Sequence, residues 1–326
     1  MKQRQFDEAT AVSEIGLGTW QLGGDWGAVD DTTARQIMET AVTQGVTFFD
    51  TADVYGGGLS EQRIAQFLHK QPANIFVATK LGRSGDPGWP QNFTYAAMRQ
   101  HTEASLRRLQ VEALDLTQLH CIPTAELQRG DVFEHLRRLK QEGKIKRFGA
   151  SVESMDEALI CLEQEGLASL QIIFNLFRQK PIETLFARAQ ARGVAIIVRL
   201  PLASGLLAGK FSQSTTFAAN DHRTYNRDGG SFNVGETFAG LPFAAGVELA
   251  DALKPFVPTA MTMAQFAQRW ILDYPAVTTI ITGATKVSQV ETNTAVSNLS
   301  PLSPELHQQL AAFYQANVHD HIRGPY

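Results

Sequence analysis

Only two cysteines, Cys121 and Cys161, occur among the 326 residues. They form no CxxC pair and no Cys/His cluster of the kind that holds zinc, and two thiols are too few for a disulfide framework. A single bridge between them is chemically allowed but unneeded, so a reducing compartment is expected. Apolar runs are short as well. None approaches the ~18 residues of a membrane span. The opening MKQRQFDEAT is polar, without the apolar core of a secretory signal. The expectation is a cytoplasmic protein with no membrane partner. Neither sign of charge dominates: 29 Lys and Arg face 33 Asp and Glu, a net −4, which leaves no basic footprint for a nucleic acid. No GxGxxG follows the first candidate strand, so a Rossmann nucleotide fold has no support.

What is present suits a large buried core. Hydrophobic residues make up 44% and charged residues 19%, the balance of a globular rather than a disordered chain. The length admits two modest domains or one large α/β barrel, and no break in composition marks a linker. Short β-branched runs alternate with longer helical patterns. Eight strand candidates result: 15–19 (IGLGT), 46–50 (VTFFD), 75–80 (IFVATK), 114–120 (LDLTQLH), 146–151 (KRFGAS), 170–174 (LQIIF), 194–200 (VAIIVRL) and 277–282 (VTTIIT). Several are apolar on consecutive positions, as strands covered on both faces are.

Between the strands, Ile37, Met38, Ala41 and Val42 share one helical face, as do Ile64, Phe67 and Leu68, and Val132, Phe133, Leu136 and Leu139. Residues 154–157 read as a capping box, with Ser154 accepting from the third amide and Glu157 reaching back. Gly45, Gly143, Gly166 and Gly193 each stand between a helical run and a strand, where glycine permits a left-handed turn. This grammar predicts one (β/α)8 barrel domain over 1–326, with a long loop after the seventh strand and extra C-terminal helices. The long loop, 212–240, is rich in Asn, Asp, Gly, Ser and Thr. In a barrel it falls on the face where chemistry occurs; a lid over a ligand and a mobile surface loop are both open readings.

Three titratable residues close successive strands: Asp50 the second, Lys80 the third and His120 the fourth. Tyr55 follows Asp50 by five positions in DTADVYGGG. Strand C-termini of a parallel barrel converge on one mouth, so the four side chains can meet. Each has an ordinary explanation taken alone: Asp50 as a turn cap, Lys80 and His120 as partners of surface groups, Tyr55 as a loop aromatic. Gathering all four at one mouth requires that coincidence four times. Together they suggest carbonyl reduction. Hydride arriving at a carbonyl carbon leaves an alkoxide that an acid must protonate. A tyrosine holds its proton tightly, an adjacent ammonium lowers its pKa, and a carboxylate keeps that ammonium charged. A histidine can donate to the carbonyl oxygen and orient it.

GLGTW at 16–20, DTADVYGGGLSE at 50–61, TKLG at 79–82 and DLTQLH at 115–120 resemble the markers of the aldo-keto reductase family, in that family's order. The resemblance runs from about 15 to 298. It implies a (β/α)8 barrel that interconverts carbonyls and alcohols with NAD(P)H, with Tyr55 as proton donor and Asp50, Lys80 and His120 completing a tetrad. The implied partner is a small carbonyl substrate and the cofactor is NADP(H) rather than NAD(H). No metal is called for, and the sequence carries no signal for oligomeric state.

The same resemblance implies the cofactor contacts. Gly18, Thr19, Trp20 and Asp50 lie on the cofactor side of the mouth. Ser151 and Gln171 match the family's holders of the nicotinamide amide, but Val152 stands where Asn is usual. Arg199 stands where an aromatic side chain commonly stacks on the ring; a guanidinium plane can also stack. Pro201, Leu202, Ser204, Gly205 and Lys210, in PLASGLLAGK, resemble the segment that covers the pyrophosphate. Gly283 opens GATKVSQVETN, in which Gln289 and Asn293 would contact adenine and Ala284, Thr285 and Lys286 would sit near a 2′-phosphate. Each of these has a plainer reading as a strand polar residue or a capped surface helix. Trp20, Trp26, Trp89 and Phe93 are candidate walls of the substrate pocket.

Two other functions compete. A cofactor-holding regulatory or redox-sensing protein, resembling the potassium-channel beta subunits, would share barrel and tetrad but need a docking surface. A metal-dependent barrel hydrolase or isomerase would need His and carboxylate ligands at strand ends, and no candidate strand ends on an HxH pair, the HDH at 319–321 lying well past the last of them.

Overall fold

The computed structural model describes residues 1–24, 29–71 and 73–326. Among these residues there are ten strands. β1 (Gln3–Asp7) and β2 (Thr10–Ser13) pair as an antiparallel hairpin. β3 (Ile15–Gly18), β4 (Phe48–Asp50), β5 (Phe76–Leu81), β6 (Leu116–His120), β7 (Phe148–Ser151), β8 (Leu167–Ile173), β9 (Ala195–Arg199) and β10 (Val277–Gly283) are parallel. They close into a barrel in sequence order, β10 pairing with both β9 and β3. All eight expected strands are therefore barrel staves, and the fold is the (β/α)8 barrel, with the loop after its seventh stave and a C-terminal helix, Pro304–Asn317, outside it.

The hairpin was not expected. Of its apolar positions only Phe6 and Val12 are fully buried, too few to show an alternating pattern. Phe6 packs on Phe76 (ring centroids 4.7 Å) and Phe48 (6.4 Å). With Val12, Ala78, Leu116, Ala195 and Ile197 these rings fill the barrel interior, so the hairpin closes the end opposite the C-terminal mouth. A second, larger core lies between the staves and the outer helices, where Ile37, Met38, Ala41, Ile64, Phe67, Val132, Phe133, Leu136 and Leu139 are buried as their spacing requires.

The local signals act as anticipated, with one adjustment. Ser154 caps the helix Met155–Leu162 by accepting from Glu157 N (3.2 Å), but Glu157 returns to Glu153 N (2.9 Å), one residue before the expected amide. Gly45, Gly143, Gly166 and Gly193 all have positive φ, from 63° to 86°. Cys121 and Cys161 are free and buried. Among the described residues no helix is long and apolar enough to cross a membrane.

What matters for a site is the register. Gly18 lies beside Asp50, Lys80 beside Gln118, and Ser151 beside both His120 and Gln171. The C-terminal ends of the staves thus present polar side chains in a ring at one mouth.

Candidate active site

At that mouth lies a cavity of about 490 Å³. Its floor is an ion-paired network inside the barrel. Lys80 Nζ donates to Asp50 Oδ1 (2.5 Å), to the Thr51 carbonyl (2.8 Å) and to Tyr55 Oη (3.2 Å). The other Asp50 oxygen accepts from Gln171 Nε2 (2.7 Å) and Gln118 Nε2 (3.4 Å). Lys80 and Asp50 are nearly fully buried, so removing either would leave the other as an uncompensated buried charge. His120 stands edge-on to the Tyr55 ring at 5.8 Å, and Trp20 stacks on its face at 5.9 Å. The four side chains singled out in the sequence are gathered at one place.

The electrostatics differ in one respect from expectation. Burial drives the Tyr55 phenol above its ordinary pKa; Lys80 pulls it down, the expected direction, but by less. For Lys80 itself, burial works against the ammonium, and Asp50 and Tyr55 outweigh it, so the lysine stays charged. Burial, reinforced by Arg83, Lys80 and Arg199, holds His120 well below its ordinary value. Its ring is neutral at pH 7. Nδ1 is buried without a partner, which leaves Nε2 as the nitrogen that the cavity reaches.

A second charged cluster lines the same cavity. Arg199, at the end of β9, is buried and held by the Glu236 carboxylate, by the Val152 carbonyl (2.9 Å) and by Cys121 Sγ (3.7 Å). Glu236 comes from the long loop. Burial opposes its charge, but Arg199 and Arg83 outweigh that and keep its pKa below the ordinary value. Arg83 Nη2 meets Glu153 Oε1 at 3.0 Å, and Glu153 Oε2 accepts from Asn233 (3.2 Å). Cys121, Glu153 and Glu236 are the one His/Cys/acid trio among the described residues with ligand atoms mutually within 4.8 Å. Both carboxylates already face a guanidinium, and burial pushes the Cys121 thiol up to about 11, so this trio is poorly matched to a second cation.

The sequence model of the Aldo/keto reductase family matches residues 14–315. The chain belongs to the aldo/keto reductase family. It is therefore an oxidoreductase of that family by descent. Aldo-keto reductase YhdN of Bacillus subtilis is 27% identical over 98% of this chain and 95% of its own. The holo form of aldo-keto reductase AKR11C1 from Bacillus halodurans superimposes with a TM-score of 0.79 at 27% identity, covering 99% and 100% of the two chains. An aldo-keto reductase from Klebsiella pneumoniae in complex with NADPH gives 0.70 at 25% identity, covering 96% and 95%. The relatives also include an NADH-specific methylglyoxal reductase of Escherichia coli (27%; 89% and 91% covered). Another is a probable voltage-gated potassium channel subunit beta of Arabidopsis thaliana (26%; 89% of each).

The cavity suits a nicotinamide dinucleotide of the kind this family uses. Ser151 and Gln171 set a hydroxyl and a carboxamide side by side, with Ser151 Oγ donating to Gln171 Oε1 (3.3 Å). Gly18, Thr19, Trp20, Asp50, Arg199, Pro201, Leu202, Ser204, Gly205, Gly283, Ala284, Thr285, Gln289 and Asn293 line the wall with them. The wall is built for close approach. Gly205 has φ 101°, and a Cβ on Gly283 would fall 2.1 Å from Gln21 Nε2.

The other candidate residues stand in differing surroundings. Lys210 and Lys286 are exposed and lie outside the cavity wall. Gln289 Oε1 is engaged by the Thr285 (2.7 Å) and Lys286 (3.2 Å) amides, and Asn293 Oδ1 by Gln268 (3.0 Å). Ser204 ties down the long loop, donating to the Glu236 carbonyl (3.3 Å) and accepting from Phe238 N (3.2 Å). Trp89 is half exposed, donates to the Gly82 carbonyl and packs on Phe93; neither ring reaches the cavity. Trp26 lies outside the described residues. Residues that sequence reasoning missed are Arg83, Cys121, Gln118, Gln21, Phe232 and Glu236. The first two stand three and one positions past the strand-end residues Lys80 and His120, a usable signal; Glu236 sits in a 29-residue loop with no spacing to mark it.

Proposed function

We propose that the protein is an NADPH-dependent carbonyl reductase that converts aldehydes or ketones to alcohols, with Tyr55 as the general acid. The observation that carries this reading is Lys80 Nζ bridging Asp50 Oδ1 and Tyr55 Oη beneath the cavity. Bound NADPH would supply the hydride, held by Ser151 and Gln171 at its nicotinamide end and by 201–205 and 283–293 beyond. A carbonyl oxygen seated against Tyr55 Oη and His120 Nε2 accepts from both. Because His120 is neutral it donates without competing as the acid, and the proton that neutralises the new alkoxide comes from Tyr55. Lys80, kept charged by Asp50, stabilises the phenolate left behind. Trp20 and Phe232 pack together at 6.4 Å as the apolar side of the pocket.

The preference for NADPH is supported by Thr285 in the wall and Lys286 beside it, and by the NADPH complex of the Klebsiella relative. The free, buried thiols fit a reducing, cytoplasmic setting. The competing regulatory reading draws on the plant channel-subunit relative; turnover separates the two.

The test is NADPH oxidation against a panel of aldehydes and ketones, run beside Tyr55→Phe. The variant should bind NADPH as the wild type does, measured by fluorescence titration, and lose about 10²- to 10⁴-fold in turnover. Near-normal rates in the variant reject the role of Tyr55. A kcat/KM for NADH at least equal to that for NADPH rejects the cofactor preference.

A further inference from the structure

Around the cavity, among the described residues, the carboxylates are engaged, while one of their cations, Arg83, keeps donors to spare. Glu236 receives Arg199 on one oxygen and the Cys121 thiol (3.8 Å) on the other. Glu153 receives Arg83 and Asn233, and Asp50 receives Lys80, Gln118 and Gln171. Arg199 is buried, with both Nη atoms engaged. Arg83 differs. It lines the cavity three residues past Lys80, its side chain is 23% exposed, and its one hydrogen bond to a described residue uses Nη2. Nε and Nη1 keep protons to give. The guanidinium lines the same cavity as Tyr55 and His120, where a carbonyl would sit on the reductase reading.

Its counter-ion is a weak one. Burial and then Glu236 raise the Glu153 pKa, against the pull of Arg83 and Arg199.

We propose that Arg83 is a specificity-determining residue that receives a carboxylate carried by the substrate, so that the preferred substrates are short carbonyl compounds with a carboxylate near the reacting carbonyl. This rests on the reductase reading above. A second acceptor held by a planar, permanently charged guanidinium fixes the carbonyl's direction as well as its affinity.

The experiment compares kcat/KM for 4-oxobutanoate, its methyl ester and butanal in wild type, Arg83→Gln and Arg83→Lys, with thermal melts as a folding control. It also titrates the product analogue 4-hydroxybutanoate calorimetrically. The wild type should prefer the acid over both neutral compounds roughly 10- to 100-fold, the scale of one charge-assisted hydrogen bond. Arg83→Gln should bring that ratio close to one and abolish 4-hydroxybutanoate binding, and Arg83→Lys should recover part of both. Equal use of acid and butanal by the wild type overturns the proposal, as does an acid preference that survives in Arg83→Gln. An ester as good as the acid shows that charge is not what Arg83 reads. If no carbonyl compound is reduced, the reductase reading fails by itself, and 4-hydroxybutanoate binding to wild type but not to Arg83→Gln still decides the role of Arg83.

Discussion

Replacing Glu236 by Ala should destabilise the protein far more than a loop substitution ordinarily does. Among the described residues Glu236 is the only carboxylate bonded to Arg199, and both side chains are buried, at 10% and 9% exposure. Removing it leaves a guanidinium in the barrel wall with the Val152 carbonyl and the Cys121 sulfur as its remaining partners. Breaking one side of a buried ion pair costs about 3 to 5 kcal/mol. The two surviving contacts put the expected value near 3. Unfolding entropy of about 2.1 cal/mol/K per residue is about 0.7 kcal/mol/K for 326 residues, so Tm should fall by about 4 °C.

The informative comparison is with a pair of apolar replacements. Arg199→Leu together with Glu236→Leu removes both charges, and buried pairs replaced by packed hydrophobes are often neutral or stabilising. Its Tm should lie above that of Glu236→Ala, and the double-mutant cycle closed with the Arg199→Leu and Glu236→Leu single variants should give a coupling of at least about 2 kcal/mol. Limited proteolysis supplies an independent readout. Ser204 also grips this loop at Glu236 and Phe238, so Glu236→Ala should open 212–240 to cleavage before the barrel. A Tm within 1 °C of wild type, or strictly additive single substitutions, would refute the view that this pair fastens the loop to the cavity wall.

Two further outcomes are expected. Asp53 is buried, one of its oxygens has no partner, and burial and then Glu61 lift its pKa to about 7. Its unfolded value is about 3.9, so from about pH 4 to pH 7 the folded protein keeps a proton the unfolded chain has lost, and stability falls as pH rises through that window. Asp53→Asn should flatten this slope and gain about 2 to 4 kcal/mol at pH 8 relative to pH 4; parallel Tm profiles for variant and wild type would reject it. Gly56 has φ 59°, and a Cβ there would fall 2.1 Å from the Gly23 carbonyl oxygen, which is backbone and cannot swing aside. Gly56→Ala should cost more than the ~1–2 kcal/mol of the left-handed conformation alone and, by displacing the adjacent Tyr55, lower kcat at least about tenfold; unchanged kcat contradicts the need for this turn.

How much of this was legible in the sequence depends on the distance over which each feature is encoded. The staves were legible because a strand buried on both faces is written in consecutive residues, and Asp50, Lys80 and His120 because strand ends share one mouth. The N-terminal hairpin was not, since only Phe6 and Val12 carry its burial. Glu236 was not, since a loop's path is set by contacts such as those of Ser204 and Arg178 rather than by its own spacing. Val152 and Arg199 make the sharper case. In the sequence they are two separate departures from the family pattern, 47 positions apart. In the fold, Arg199 Nη2 donates to the carbonyl of Val152 at 2.9 Å, a bond that uses only Val152's backbone. The same guanidinium reaches Glu236 and Cys121. The side chain at 152 is thus free to be apolar, while the charge at 199 requires an acid from the loop. The two departures meet in one buried cluster, and restoring an Asn at 152 without removing Arg199 would add a carboxamide where the Val152 side chain is now packed at 2% exposure.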